Sequence, residues 1–336
     1  MAELDIKKRS DRVGRYFKKH IDQYIFIALS TSFLSAAGIY DIMKDVPVPI
    51  TRIDSNAFIQ NGELPMLSIA ENMTKVMGCD PSFRFNGEYA ECLRSLYGED
   101  FVHKLKKDAI LFAEDGKFEE SCINFRAVLC MEANDKDAMY GYAMALREMY
   151  IANKGGEHEY TANFKLESME MFELLTEEYP EVDLGHYYLG YAYINMGLYK
   201  KAEIVWNDFL SVSCDDIKKS EIRERLVQLS APVDLENGCN SIISGRYDEG
   251  LAILTKYRDS AFDKWWPLYY YMGVGYAETG RADNAEKCFK KVLQISPSNV
   301  EVMKELVLLY KACSDDEKRN KYEKKIEIIE NRKVHS

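Results

Sequence analysis

The chain of 336 residues is 47% hydrophobic and 29% charged, and its 44 basic and 55 acidic residues give a formal net charge of -11. That composition excludes a disordered, collagen-like or low-complexity chain, and the length implies about two domains or one long repeat array. A negative field disfavours nucleic acid as a partner.

The first 46 residues hold a basic stretch, Lys7 to Lys19, followed by an uncharged apolar run from Tyr24 to Tyr40. Val13, Phe17, Ile21, Tyr24 and Ala28 recur at three- and four-residue steps. That spacing predicts one amphipathic helix beginning near Ser10 or Asp11 and running into the apolar segment. At 1.5 Å per residue, residues 24–40 span about 26 Å against a hydrocarbon core of about 30 Å. A helix buried in protein is therefore the preferred reading. A membrane anchor and a signal peptide cleaved after Ser35-Ala36-Ala37 are the alternatives. The basic stretch is a solvated polar face or a contact for anionic lipid. Val46-Pro47-Val48-Pro49 ends the helix, because proline removes an amide donor and extends its predecessor.

Residues 47–101 are less regular and are read as a helical cap or a diverged repeat, with helices over 64–77 and 88–97. Asn72-Met73-Thr74 matches a glycosylation sequon, which matters only in a secreted chain.

From about Val102 a repeat organises the chain. Its clearest copy is residues 266–299, where Tyr269, Met272, Gly273 and Tyr276 precede Gly280, followed by Ala285, Phe289, Val292 and Pro297. These residues, in this order, resemble the tetratricopeptide repeat, a helix-turn-helix unit of about 34 residues. The spacing supports the resemblance: Gly273 is small where the partner helix crosses, Gly280 ends the first helix, and Phe289 fills the space between repeats. A second copy, residues 183–216, carries Leu189, Gly190, Tyr193, Gly197, Ala202, Trp206 and Phe209. Further units are placed at 102–135, at 136–182 with a polar insertion around residues 153–157, at 231–264 after an extra helix over 217–230, and at 300–333, whose charged second helix suits a solvent-facing cap. The fold expected from the resemblance is all-α: a right-handed α-solenoid over residues 102–333 with an N-terminal helical appendage.

No motif points to chemistry. The glycines from Gly273 to Gly280 do not fit a dinucleotide loop, because no strand precedes them and the third glycine is misplaced. The five histidines form no metal motif, and the eight cysteines include no C-x-x-C pair, so neither a metal nor a cofactor is expected. Scattered cysteines suit a reduced, cytoplasmic protein, with membrane anchoring as the alternative. Cys122 and His103 could meet in space as a nucleophile pair, but Cys122 falls at a packing position.

Tetratricopeptide arrays bind partners on a face lined by the first helix of each unit, which the resemblance carries over to Tyr140 and Met144; Tyr187, Tyr191 and Ile194; Leu235, Cys239 and Ile242; and Tyr270 and Val274. The family's carboxylate clamp for acidic chaperone tails is not matched. Lys106 stands in one of its places, but Ile110, Gly141, Leu184 and Tyr188 occupy the others, leaving a carboxylate uncompensated. An aromatic and aliphatic groove implies a non-catalytic adaptor that binds an apolar or amphipathic protein segment. The chain's own N-terminal helix is the alternative occupant, and a membrane-tethered assembly factor anchored by residues 24–40 is the alternative function.

Overall fold

The computed structural model describes residues 11–51, 66–153 and 158–334, with side chains as far as Asn331. These residues are mostly helical and divide into two compact units, one running to Met196 with Ser211–Ser213, the other comprising Gly197–Leu210 and the chain from Cys214. Lys7, Lys8, Arg9 and residues 154–157 of the polar insertion lie outside the described residues.

The N-terminal segment is not the single helix that its periodicity predicts. It comprises α1 (Gly14–Lys18), a 3-10 turn (Ile21–Gln23), β1 (Tyr24–Ile27), α2 (Thr31–Ala36), α3 (Tyr40–Met43) and β2 (Val48–Thr51). β1 and β2 pair antiparallel, with Tyr24 opposite Thr51 and Ile27 opposite Val48. The physical reasons lie in the side chains. Tyr-Ile-Phe-Ile favours a pleated surface, and the two prolines hold the facing segment extended. Ser30 caps α2 by accepting from the Phe33 amide at 3.3 Å, and Gly38, at φ +71°, turns the chain before α3. Tyr24, Leu34, Ile39, Met43, Val48 and Ile50 are buried, so the apolar run contributes to the core. No helix among the described residues is long and apolar enough to cross a membrane.

In the first unit this segment packs on α4 (Met66–Cys79) and α5 (Asn86–Tyr97), through β2 and α1 on α4 and α3 on α5. Four helices follow in two antiparallel pairs: α6 (Asp100–Glu114) with α7 (Phe118–Met131), and α8 (Lys136–Ala152) with α9 (His158–Glu178). α10 (Asp183–Asn195) then packs on α9. Asn72 is buried within α4 and donates to the Pro49 carbonyl at 3.2 Å, so the sequon residue serves the core.

The buried side chain of Arg126, on α7, joins the segment to the helices. Its Nε donates to the Gly78 carbonyl at 2.7 Å, and its two terminal nitrogens reach the Asp11 carboxylate at 3.0 and 2.6 Å. Nη1 also lies 3.1 Å from the Tyr142 hydroxyl, and the guanidinium covers the Phe17 ring. Gly14 is required beside this pair, because a Cβ there would stand 2.1 Å from the Asp11 carboxylate. The outer contacts are electrostatic: Lys18 with Asp80 at 3.1 Å, Lys19 and His20 with Glu119 at 3.2 and 2.7 Å, and Arg12 with Glu170 at 2.7 Å.

The second unit contains α11 (Tyr199–Val212), all but its last two residues, and then α12 (Asp216–Ile243), α13 (Tyr247–Leu254), α14 (Trp266–Glu278), α15 (Ala282–Ile295), α16 (Val300–Ala312) and α17 (Asp316–Val334). Here the extra helix expected over 217–230 and the first helix of the next unit are one continuous 28-residue helix, with Pro232 in its interior. The missing proline amide frees the carbonyl of Gln228, an exposed residue, and water can satisfy it.

The repeat turns share one geometry. Gly116, Gly197, Gly245 and Gly280 all have φ between 74° and 78°. After α6, α12 and α14 the two turn amides return to the preceding helix: Lys117 to Phe112, Arg246 to Ser241, and Arg281 to Tyr276, each with its glycine amide on the carbonyl three residues back. That paired pattern satisfies the last orphan carbonyls of the helix. After α16 the same bonds form around Ser314, a non-glycine residue at φ 59°. Within the pair α14 and α15, a Cβ on Gly273 would meet the Phe289 ring at 2.5 Å, which explains the glycine.

Candidate partner-binding groove

The first unit carries an open groove of about 920 Å³ whose lining comes from α6, α7 and α8. The two connecting turns reverse the chain twice, so α6 and α8 run in the same direction and form the walls, with Phe118 and Phe125 of α7 between them. Ile110 and Leu111 present about half of their surface to solvent, at 51% and 48%. Opposite them stand Tyr140 and Met144, both half-buried. Gly141 lies between these two, and a Cβ there would meet the Phe125 ring at 2.2 Å, so close approach of α8 to α7 sets the depth of the wall.

Lys106 is the one cation that matches the carboxylate clamp, and it is already neutralised. Its ammonium lies 2.6 Å from Asp135 and 3.5 Å from Asp137. Burial pulls the ammonium down, but these two carboxylates outweigh it and hold the group above the ordinary lysine value. Asp135 also caps α8, accepting from the Ala138 amide at 2.7 Å. Recruiting Lys106 to an external carboxylate would break this cap network.

The remaining predicted residues divide. Tyr187, Tyr191 and Ile194 are half-buried on α10. Tyr187 meets Tyr188 and Tyr191 edge-on at 5.1 and 5.2 Å. Tyr188 stacks on Phe172 at 5.9 Å, approaches Tyr140 at 6.3 Å and lies beneath Arg147, so it links α10 to the α8 wall. In the second unit, Leu235, Cys239 and Ile242 are not groove residues. They are buried core, at 2%, 8% and 2% exposure, in the same cluster as Leu254, Met272 and Phe289. Ile242 packs so tightly that a Cβ on Gly250 or Gly275 would meet it at 2.7 Å. Tyr270 and Val274 are half-buried against the same core, Tyr270 beside Trp266, Tyr271 and Phe289. Burial, and then Glu305 and Glu301, push the Tyr270 phenol up.

Sequence reasoning placed Ile110 and Tyr188 only as clamp positions occupied by the wrong residue and missed Leu111. Adjacent apolar residues near the end of α6 were the available signal, since an amphipathic helix needs only one of them on its inner face.

Among the described residues, the groove lining assembles no nucleophile. Cys122 is buried with its sulfur 3.6 Å from the Met149 sulfur, and burial raises its thiol, whereas His103 stands exposed at the groove edge. Burial likewise pushes the Cys79 and Cys239 thiols up to about 12. Among the described residues, no group of three or more His, Cys, Asp or Glu is placed to hold a metal.

Among the described residues, the N-terminal segment from Asp11 onward does not line the groove. Its aromatic side chains are used elsewhere: Phe17 and Tyr16 contact Phe164 at 5.9 and 5.4 Å, and Phe26 stacks on Phe83 at 5.5 Å.

Paired antiparallel helices, left-handed turn glycines and a small residue at the helix crossing are features of the tetratricopeptide repeat class. Residues 266–299 match the family model described as "Tetratricopeptide repeat". Solved structures similar to the chain include the P58(IPK) TPR domain, at 13% identity over 88% of this chain and 80% of that one, with a TM-score of 0.43. A crystal structure of MamA is similar at 18% identity over 52% of this chain and 94% of that one, TM-score 0.34. A tetratricopeptide repeat protein from Parabacteroides merdae ATCC 43184 is similar at 18% identity over 82% and 91%, TM-score 0.30. Proteins of this class generally mediate protein–protein interactions.

Proposed function

We propose that the chain is a non-catalytic scaffold that takes an apolar or amphipathic segment of another protein in the groove between α6 and α8. The observation that carries this reading is the exposure of Ile110 and Leu111 opposite Tyr140 and Met144, while Lys106, beside them, is committed to Asp135. A groove with this lining rewards apolar burial, and the clamp lysine within it is already paired. Burying about 500 Å² of apolar surface is worth about 12 kcal/mol before association costs, and micromolar binding needs about 8 kcal/mol net. The eight cysteines are all unbridged, which supports a reducing, cytoplasmic setting.

The test is photocrosslinking from a benzophenone amino acid at position 110 of the full chain, followed by identification of the crosslinked peptide. A peptide with apolar residues at helical or alternating spacing is expected, and Ile110→Glu removes its capture without lowering the thermal midpoint. Crosslinks confined to acidic, apolar-poor tails would overturn the reading.

A further inference from the structure

A second cleft, of about 660 Å³, lies in the first unit where α8 ends, α9 begins and α10 ends. It depends on the long helix of the insertion-bearing repeat. α9 has 21 residues, whereas α7, α11 and α15, each the second helix of a repeat, have 14. The first turns of α9 have two differently used faces. On one, Tyr160 and Phe164 are covered by Tyr16 and Phe17 of the N-terminal segment. The other, carrying Thr161, Ala162, Lys165 and Leu166, lines the cleft.

The chemistry of this face is uneven in sign. In a chain with 55 acidic residues, no carboxylate lines the cleft among the described residues. Lys165 makes no ion pair among them. Its ammonium donates to the Asn195 carbonyl at the end of α10, which leaves two N–H groups. Burial holds this ammonium below the ordinary lysine value. Asn153 donates to the Thr161 hydroxyl oxygen at 3.3 Å, so the Thr161 proton is free to point elsewhere. Ile151, Leu166 and Met196 supply apolar surface next to these donors.

We propose that this cleft binds an amphiphilic anion, its carboxylate or phosphate head on Lys165 and Thr161 and its apolar tail along Leu166, Ile151 and Met196. The site is separate from the α6–α8 groove, shares no lining residue with it, and does not depend on the function proposed there. The lysine also caps α10, and a capping role alone predicts no preference among ligands of different charge.

Isothermal titration of the full chain with octanoate, octyl phosphate, octylamine and inorganic phosphate separates the cases. Octanoate and octyl phosphate are expected to bind, inorganic phosphate more weakly for want of a tail, and octylamine not at all. Lys165→Met is expected to weaken octanoate at least about tenfold, the scale of one charge-assisted hydrogen bond, and Lys165→Arg to retain it. Ala162→Trp, at an exposed position, fills the cleft without touching the cap and is expected to abolish binding with an unchanged melt. Octylamine binding as well as octanoate, unchanged affinity in Lys165→Met or Ala162→Trp, or no binding of either octyl anion at millimolar concentration would each overturn the proposal.

Discussion

Removing the carboxylate of Asp11 isolates the strongest polar contact of the N-terminal segment. In Asp11→Ala the Arg126 guanidinium, whose side chain is 2% exposed, keeps its bonds to the Gly78 carbonyl and the Tyr142 hydroxyl but loses both carboxylate contacts. Breaking a buried ion pair from one side costs about 3–5 kcal/mol. The Asp11 side chain is itself 30% exposed, so water reaches the vacated position and the cost should fall near the lower limit, about 3 kcal/mol. Trp206, Trp265 and Trp266 all lie in the second unit, so tryptophan fluorescence does not report this loss directly. Native-state hydrogen exchange does. Amides of α4 and α7 that exchange through opening of the first unit should lose about a hundredfold of protection, while the tryptophan-reported transition stays in place. Adding Arg126→Met to Asp11→Ala removes the buried charge and should restore most of the loss, because an apolar side chain of similar length suits the site. Protection unchanged within about threefold in Asp11→Ala, or no recovery in the double variant, would refute the account.

Other substitutions test the remaining geometry. Glu119 is raised by burial but brought net below its ordinary value by His20 and Lys19. Its contribution to stability is therefore fully present above the unfolded carboxyl value near 4.5 and is lost as pH falls through the lower folded value; Glu119→Gln should flatten the acid limb of a pH–urea series. Glu305 is displaced upward by burial and by Glu301 and Glu278, so Glu305→Gln should raise the melting temperature at pH 7 and confer no gain at pH 3. Ser314→Gly relieves a left-handed residue in a turn where other repeats use glycine and should stabilise the second unit by up to about 1 kcal/mol in urea titration. Gly273→Ala forces a methyl group against Phe289 and should destabilise it by about 1–3 kcal/mol, read from the tryptophan transition.

The repeats were legible because their signals are local and periodic. Gly280 and Phe289 sit at spacings that only a helix-turn-helix unit explains, and both make the contacts such a unit requires. The N-terminal segment was misread for a related reason. Val13 and Phe17 do share a buried helical face, but the period continues by coincidence into Tyr24-Ile-Phe-Ile, a strand whose partner lies some 24 residues downstream. A four-residue strand carries too little alternation to announce itself, and its ladder depends on a non-local segment. Pro232 misled in the opposite sense: proline marks a boundary on average, yet an exposed helix face tolerates the carbonyl it leaves free.

The candidate groove divides along the same line. Tyr140 and Met144, expected from repeat phase, line the candidate groove, since phase fixes which helix face points away from the partner helix. Leu235, Cys239 and Ile242 shared that expectation and lie in the core, packed with Leu254, Met272 and Phe289. By itself the sequence determined the helix pairs, their turns and the small residues at their crossings, all of which follow from short-range spacing and the sterics of glycine. Only the tertiary structure decided that Arg126 holds Asp11, that Lys106 is neutralised within the chain and that the apolar run near the N-terminus forms core. Each depends on groups brought together from distant parts of the chain, where burial and charge pairing act on contacts that no local pattern encodes.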